Sequence, residues 1–260
     1  MNIPIYQVDA FADKPFKGNP AAVCPLTEWI SDEQMQQIAM ENNLSETAFF
    51  VENNDRYHIR WFTPAVEINL CGHATLASAH VIFEHLGYEK EKIHFDSQSG
   101  ELVVRRRDSF YEMNFPAWIA KECDVKLEDV ESCLVVKPEK ISASRDLIVL
   151  YKTEEQIRRL TPDFIKMMEL EYNLIVATAK GDNEDFVSRV FVPKMGIPED
   201  PVTGSAHSTL IPFWADILGK TSLKARQLSQ REGYLECEMM GDRVLMAGQA
   251  FTFLRGEIRL

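Results

Sequence analysis

The chain has 260 residues, of which 45% are hydrophobic and 26% are charged, a composition typical of globular proteins that excludes a disordered or fibrous chain. This length fits one large domain or two smaller ones and allows a substantial core without disulfides or metals. The net charge of −12 disfavours nucleic acid and anionic membranes as partners, because both present negative phosphates.

The chain shows no sign of a secretory signal or a membrane span, since no basic region precedes a long apolar stretch. Its five cysteines are scattered and form no CxxC pair. We therefore expect a cytoplasmic protein with reduced thiols. His73 and His80 are about two helical turns apart, too far to bind one metal ion, so no metal site is predicted.

In chain order, alternating or continuously apolar segments predict a series of strands. These segments are IYQVDAFA, AAVCPL, TAFFVE, YHIRWF, KIHFDS, ELVVRRRDSFYEMNF, DLIVLYK, NLIVATA, FVSRVFV, YLECEMM, RVLMAG and AFTFLR. Two outer helices are predicted from their first turns. One spans 31–42, with Ser31 as N-cap and Gln34 three residues later, and the other spans 161–171, with Pro162 at its first helical position.

The two halves of the sequence repeat each other. Between segments 57–64 and 186–193, an arginine, a phenylalanine and a proline recur at a constant spacing of 129 residues. Each segment leads to a helix of small and apolar residues, predicted over 72–86 and 204–218 and therefore buried. The first glycines of these helices are 132 residues apart, so the second connecting loop is three residues longer.

The repeat predicts an α+β protein of two similar, barrel-like domains, each a curved sheet wrapped around one central helix. The predicted domains are residues 1–120 and 121–260, although the last strand can pack back on the first domain.

Pro212 lies inside the second central helix. It removes a hydrogen bond there, so a kink is predicted.

Each central helix begins at a glycine, Gly72 or Gly204, and free backbone N–H groups at such an end attract carboxylate or phosphate. If the two ends converge, one small anionic substrate fits between them. The acid/base candidates near these ends are Glu46, His73 and Asp200. Each also has an ordinary interpretation, respectively as a surface acid, a packed histidine and a loop or capping acid.

The GxSxG elbow, phosphate loop and GxGxxG motif are absent, so no cofactor is predicted.

Several motifs, taken together, resemble the PhzF-like family of phenazine-biosynthesis isomerases. They are VDAF, FKGNPAAV, NNLSETAFF, IRWFTP, LCGHATLASAHV, SRVFVP and EDPVTGSAH, and they extend over most of the chain. The resemblance implies the diaminopimelate-epimerase fold, with two pseudo-symmetric barrel-like domains, a homodimeric state and an active site in the cleft between the domains.

The resemblance also implies roles for individual residues. Glu46 matches the acid/base glutamate of the family, while His73 and Asp200 match its other catalytic positions. Ser205 matches the serine of the DPxTGSA motif, and we assign it to substrate binding together with three neighbours of the catalytic positions, Ser45, Gly72 and Gly204.

The related epimerases use one cysteine at the start of each central helix. Cys71 stands at the first of these positions, but the second is Thr203, whose hydroxyl is too weak an acid to replace a thiol. We therefore expect a cofactor-independent isomerase that moves a proton on a small carboxylic acid. The alternatives are an amino-acid epimerase or racemase, and a binding protein without turnover.

Overall fold

The computed structural model describes all residues, 1–260, which form seventeen β-strands, six α-helices and one 3-10 turn. The strands are β1 (Asn2–Ala10), β2 (Asn19–Leu26), β3 (Glu46–Asn53), β4 (Arg56–Phe62), β5 (Glu67–Ile68), β6 (Lys92–Ser97), β7 (Gly100–Arg107), β8 (Phe110–Pro116), β9 (Lys140–Ala143), β10 (Leu147–Leu150), β11 (Ile175–Lys180), β12 (Phe186–Phe191), β13 (Glu199–Asp200), β14 (Ser222–Gln227), β15 (Gly233–Met240), β16 (Arg243–Gly248) and β17 (Ala250–Arg259). The helices are α1 (Asp32–Asn42), α2 (Gly72–His85), α3 (Leu127–Leu134), α4 (Glu154–Arg159), α5 (Phe164–Met167) and α6 (Gly204–Leu218). None of the helices combines the length and the apolar character that crossing a membrane requires.

The chain divides into two compact units. The first contains Met1–Asn114 together with Ala247–Leu260, and the second contains Phe115–Met246. The C-terminal strand β17 therefore belongs to the first unit, where it pairs antiparallel with the whole of β1.

In the first unit, the sheet curves around the central helix α2. Strand β2 is parallel to β3, β3 is antiparallel to β4, and β4 pairs with β5 antiparallel and with β6 in parallel. Residues His73 to Phe83 of α2 are all buried, against β1, β2, β3 and β17. A helix without a polar face is stable only in such surroundings, which is why this one occupies the core.

The second unit repeats this pairing pattern around α6. Strand β10 is parallel to β11, β11 is antiparallel to β12, and β12 pairs with β13 antiparallel and with β14 in parallel. The repeated arginines have equivalent partners: two nitrogens of Arg60 donate to Glu67 at 2.7 and 2.8 Å, and two of Arg189 donate to Glu199 at 2.8 Å each. The predicted duplication is therefore confirmed down to individual ion pairs.

The three additional residues of the second repeat lie between β12 and β13. Here the chain forms the 3-10 turn Pro193–Met195, which ends at Gly196 in the left-handed conformation. After this turn the two repeats are again in step, so that Cys71 and Thr203 are the N-cap residues of α2 and α6.

Helix α6 continues through Pro212, although proline cannot donate the usual hydrogen bond to the carbonyl of Ser208. The backbone N–H of Trp118 donates to that carbonyl at 2.9 Å. A partner from outside the helix thus satisfies the buried carbonyl and removes much of the cost of the proline.

One of the two predicted outer helices is confirmed. Helix α1 has Ser31 as its N-cap and a complete capping box with Gln34. The helix predicted over 161–171 is wrong in extent, since only α5 (Phe164–Met167) is helical there. Asp163 determines this start, because its side chain accepts hydrogen bonds from two backbone N–H groups of the first turn and so acts as the N-cap.

Candidate active site

Two of the three predicted catalytic side chains contact each other in the first unit. Glu46 is the first residue of β3, next to the half-buried Ser45, and His73 lies in the first turn of α2. The Oε2 atom of Glu46 and the Nε2 atom of His73 are 2.9 Å apart, and only 15% and 7% of the two side chains are exposed. Neither atom has a hydrogen bond of good geometry, so both can still interact with a further group.

The environment of His73 favours its protonated form. Burial acts to lower the pKa of this imidazole, but the electrostatic and hydrogen-bonding influence of Cys71 and then of Glu46 outweighs burial and raises the pKa well above 6.5. Burial, followed by the charge of Glu46, raises the pKa of the Cys71 thiol to about 11. Cys71 and Glu46 thus both favour the protonated ring of His73.

Two further groups adjoin the ring of His73 at its other nitrogen. The Sγ atom of Cys71 is 3.5 Å from Nδ1, and the Nδ2 atom of Asn19 is 3.3 Å from it. Asn19 opens β2 and is fully buried. It belongs to the FKGNPAAV motif but was not among the predicted site residues, because nothing in the sequence alone relates it to a histidine 54 residues away.

The third predicted catalytic residue, Asp200, lies in the second unit, at the end of β13 and close to the start of α6. The hydroxyl of Thr203 donates to Oδ2 of Asp200 at 2.5 Å. Gln227 holds this loop from β14, since its Nε2 donates to the Asp200 carbonyl at 2.7 Å and its Oε1 accepts from the Thr203 backbone N–H at 2.9 Å. Gln227 is fully buried, so the loop that carries the carboxylate has a fixed support.

Beside Gly204, the first residue of α6, Ser205 contacts an arginine that the sequence analysis missed. An Nη2 atom of Arg145 donates to the Ser205 hydroxyl at 3.1 Å. The guanidinium is held by two hydrogen bonds of 2.8 and 2.9 Å to the buried Asp146, and it stacks 4.4 Å above the ring of Trp118. Because Arg145 and Ser205 are 60 residues apart, no spacing in the sequence indicates this contact.

The structure thus describes two separate groups of polar residues, one in each unit. The first contains Glu46, His73 and the start of α2 at Gly72, and the second contains Asp200, Ser205 and the start of α6. Each group combines an acid with a helix N-terminus. A helix N-terminus attracts a carboxylate, and an acid in its ionised form can accept a proton from carbon.

Comparison with known proteins gives a consistent assignment. Residues 8–256 match the family model PhzC-PhzF, described as phenazine biosynthesis-like protein. An uncharacterized isomerase of Pseudomonas aeruginosa is 49% identical, over the whole length of both chains. The crystal structure of a PhzF-family protein from Enterococcus faecalis superposes with a TM-score of 0.98 at 47% identity, again covering both chains completely.

A more distant match extends the fold to epimerases. A hydroxyproline epimerase from Agrobacterium vitis superposes with a TM-score of 0.65 at 8% identity, covering 99% of this chain and 92% of the other. This likeness concerns the fold alone, and together with the closer matches it confirms the predicted fold class.

Proposed function

Since the chain belongs to the PhzC-PhzF family of phenazine biosynthesis-like proteins and is an isomerase, we propose that it moves a proton on a small carboxylic acid without a cofactor. The observation that most supports this proposal is the buried contact between Glu46 and His73. It combines a carboxylate able to accept a proton with a protonated imidazole able to neutralise or return one.

In the proposed reaction, Glu46 removes a proton from a carbon atom activated by a neighbouring double bond or carbonyl group. The electron pair of the broken C–H bond moves into the conjugated system, and a proton is returned to a different carbon. The Oε2 atom suits this role because it is buried and has no well-aligned hydrogen bond. His73 orients the carboxylate, and Asp200 assists the transfer.

We assign substrate binding to the starts of α2 and α6. The amides of Gly72 and Gly204 and the side chains of Ser45 and Ser205 would bind the polar groups of the substrate. Arg145 adds a positive charge beside Ser205, and this charge suits a carboxylate. Hydrogen-bond donors of this kind would let a chain with a net charge of −12 bind an anion.

A racemase that uses two thiols is disfavoured by both N-cap residues. Thr203 carries no thiol, and its hydroxyl is engaged with Asp200. The pKa of Cys71 is raised to about 11, which makes its thiolate scarce at neutral pH.

Two further proposals concern the state of the protein. The resemblance supports a homodimer, which sedimentation velocity would test. The five free cysteines support a reducing compartment such as the cytoplasm.

The substrate class can be tested with a panel of aromatic and dienoic carboxylic acids. Acids that raise the Tm of the wild-type protein are then incubated with it in heavy water, and deuterium incorporation is followed by mass spectrometry. The proposal predicts incorporation into at least one stabilising acid, at a carbon-bound position. Stabilisation without incorporation in any acid of the panel would instead favour a binding protein.

A further inference from the structure

Glu46, Cys71 and His73 form the one place in the chain where three side chains of metal-binding type meet. One ligand atom from each residue lies within 4.8 Å of the others. The lack of a CxxC pair and the distance between His73 and His80, on which no metal site was predicted, do not exclude a donor set of one carboxylate, one thiol and one imidazole. We propose that this cluster is an inhibitory site for a thiophilic divalent cation such as Zn²⁺.

The spacing of two donors fits such an ion without rearrangement. In a tetrahedral zinc site, Zn–S and Zn–N bonds of about 2.3 and 2.0 Å place the two ligand atoms about 3.5 Å apart. The Sγ atom of Cys71 and the Nδ1 atom of His73 are separated by 3.5 Å. Both side chains are held by the first turn of α2 and are buried, which limits the entropy lost when an ion binds.

The carboxylate of Glu46 completes the set. It contacts Nε2 of His73, so it has to leave that nitrogen and turn towards the side of the ring that carries Nδ1, a movement that rotation about its side-chain bonds supplies. Its Oε2 atom is buried without a well-aligned hydrogen bond, so coordination satisfies an atom that is otherwise poorly paired. Three protein ligands leave the fourth position of Zn²⁺ open to water or to an anion.

Besides the loss of the contact between Glu46 and Nε2, binding has two further costs. The contact between Asn19 and Nδ1 of His73 has to give way to the metal. The thiol of Cys71 and the imidazolium of His73 must each lose a proton, so cation affinity rises with pH. Bound Zn²⁺ would then coordinate the carboxylate that we propose as the catalytic base and so inhibit the reaction. This inhibition rests on the proposed function, whereas cation binding itself does not.

The test uses Co²⁺ as a spectroscopic probe on the full-length, metal-free protein. Wild type is expected to develop a sulfur-to-cobalt charge-transfer band together with the strong visible bands of tetrahedral Co²⁺, and Zn²⁺ should abolish both. Cys71→Ser should remove the charge-transfer band, and His73→Asn should weaken Co²⁺ affinity at least 10-fold, as even the loss of an outer-shell partner can do. Cys123→Ser removes a more accessible thiol and serves as the matched control, which should leave the spectrum unchanged.

The proposal is overturned if wild type shows no charge-transfer band, or if Cys71→Ser retains the band while Cys123→Ser removes it. Circular dichroism of each variant shows whether it is folded, and His73→Asn provides a second measurement should Cys71→Ser fail to fold. The proposed function is judged separately, by deuterium exchange. A Co²⁺ band that depends on Cys71, in a protein whose exchange activity Zn²⁺ does not inhibit, would support the metal site and contradict Glu46 as the base.

Discussion

His207 is expected to make the stability of the protein depend on pH. This residue lies in α6, is fully buried, and its Nδ1 is 2.9 Å from the carbonyl oxygen of Thr203. Since Nδ1 donates to that carbonyl, the neutral ring carries no proton on Nε2, an atom that has no partner. A second proton would therefore be buried without an acceptor, and burial lowers the pKa of His207 to about 4.

The sign and size of the effect follow from proton linkage. The unfolded chain, with a histidine pKa of about 6.5, binds a proton more readily than the folded chain does. The stability that neutral His207 contributes is thus complete above pH 6.5 or so and is lost as the pH falls from there towards about 4. Between pH 7.5 and 5.0 the expected loss is about 2 kcal/mol.

Urea unfolding of wild type and His207→Asn at these two pH values measures this contribution. Asparagine can place its Nδ2 where Nδ1 was and keep the bond to Thr203, but it does not titrate. On lowering the pH, wild type should lose about 2 kcal/mol more than the variant. An equal loss in both proteins, within about 0.5 kcal/mol, would show that His207 is not held neutral by burial.

Three further substitutions test the packing and the proposed binding residues. Gly18→Ala should lower the free energy of unfolding in urea by about 3 kcal/mol, because φ is +66° and an added Cβ would lie 2.1 Å from a backbone oxygen. The control Gly87→Ala has a similar φ of +70° but open space around the added Cβ, and it should lower the free energy of unfolding by about 1 kcal/mol. Arg189→Met should lower the free energy of unfolding by about 3 kcal/mol, because the partly buried Glu199 loses its partner. A double variant that also replaces Glu199 with leucine should recover most of this loss. Arg145→Met should weaken binding of a stabilising carboxylate about 10-fold in calorimetry, with Arg145→Lys less affected, and unchanged affinity would remove Arg145 from the site.

Local patterns in the sequence were sufficient for much of the fold. The start of α1 and the two central helices follow from periodicity, capping residues and glycines, all of which act over a few residues. The repeat is recognised by comparing the two halves of the sequence. The helix predicted over 161–171 was wrong because Asp163 can cap as effectively as Thr161, and the composition of the segment does not decide between them.

The candidate site could be predicted only in part. Family motifs marked Glu46 and His73, but their contact depends on how β3 and α2 pack, and a spacing of 27 residues carries no such information. Arg145 and Gln227 were missed because each reaches its partner through tertiary structure. Gln227, on β14, supports the loop of Asp200 through two hydrogen bonds that no motif includes.

The most direct test of the account compares Glu46→Gln with Cys71→Ser in deuterium exchange on an acid that wild type labels. Glutamine retains the size of the side chain but cannot accept the proton, so exchange should fall 10²- to 10⁴-fold or more while the thermal shift caused by the acid persists. Cys71→Ser should retain most of the exchange activity, because the buried thiol has no part in the proposed transfer. Exchange that continues in Glu46→Gln and stops in Cys71→Ser would contradict Glu46 as the base and indicate thiol chemistry instead.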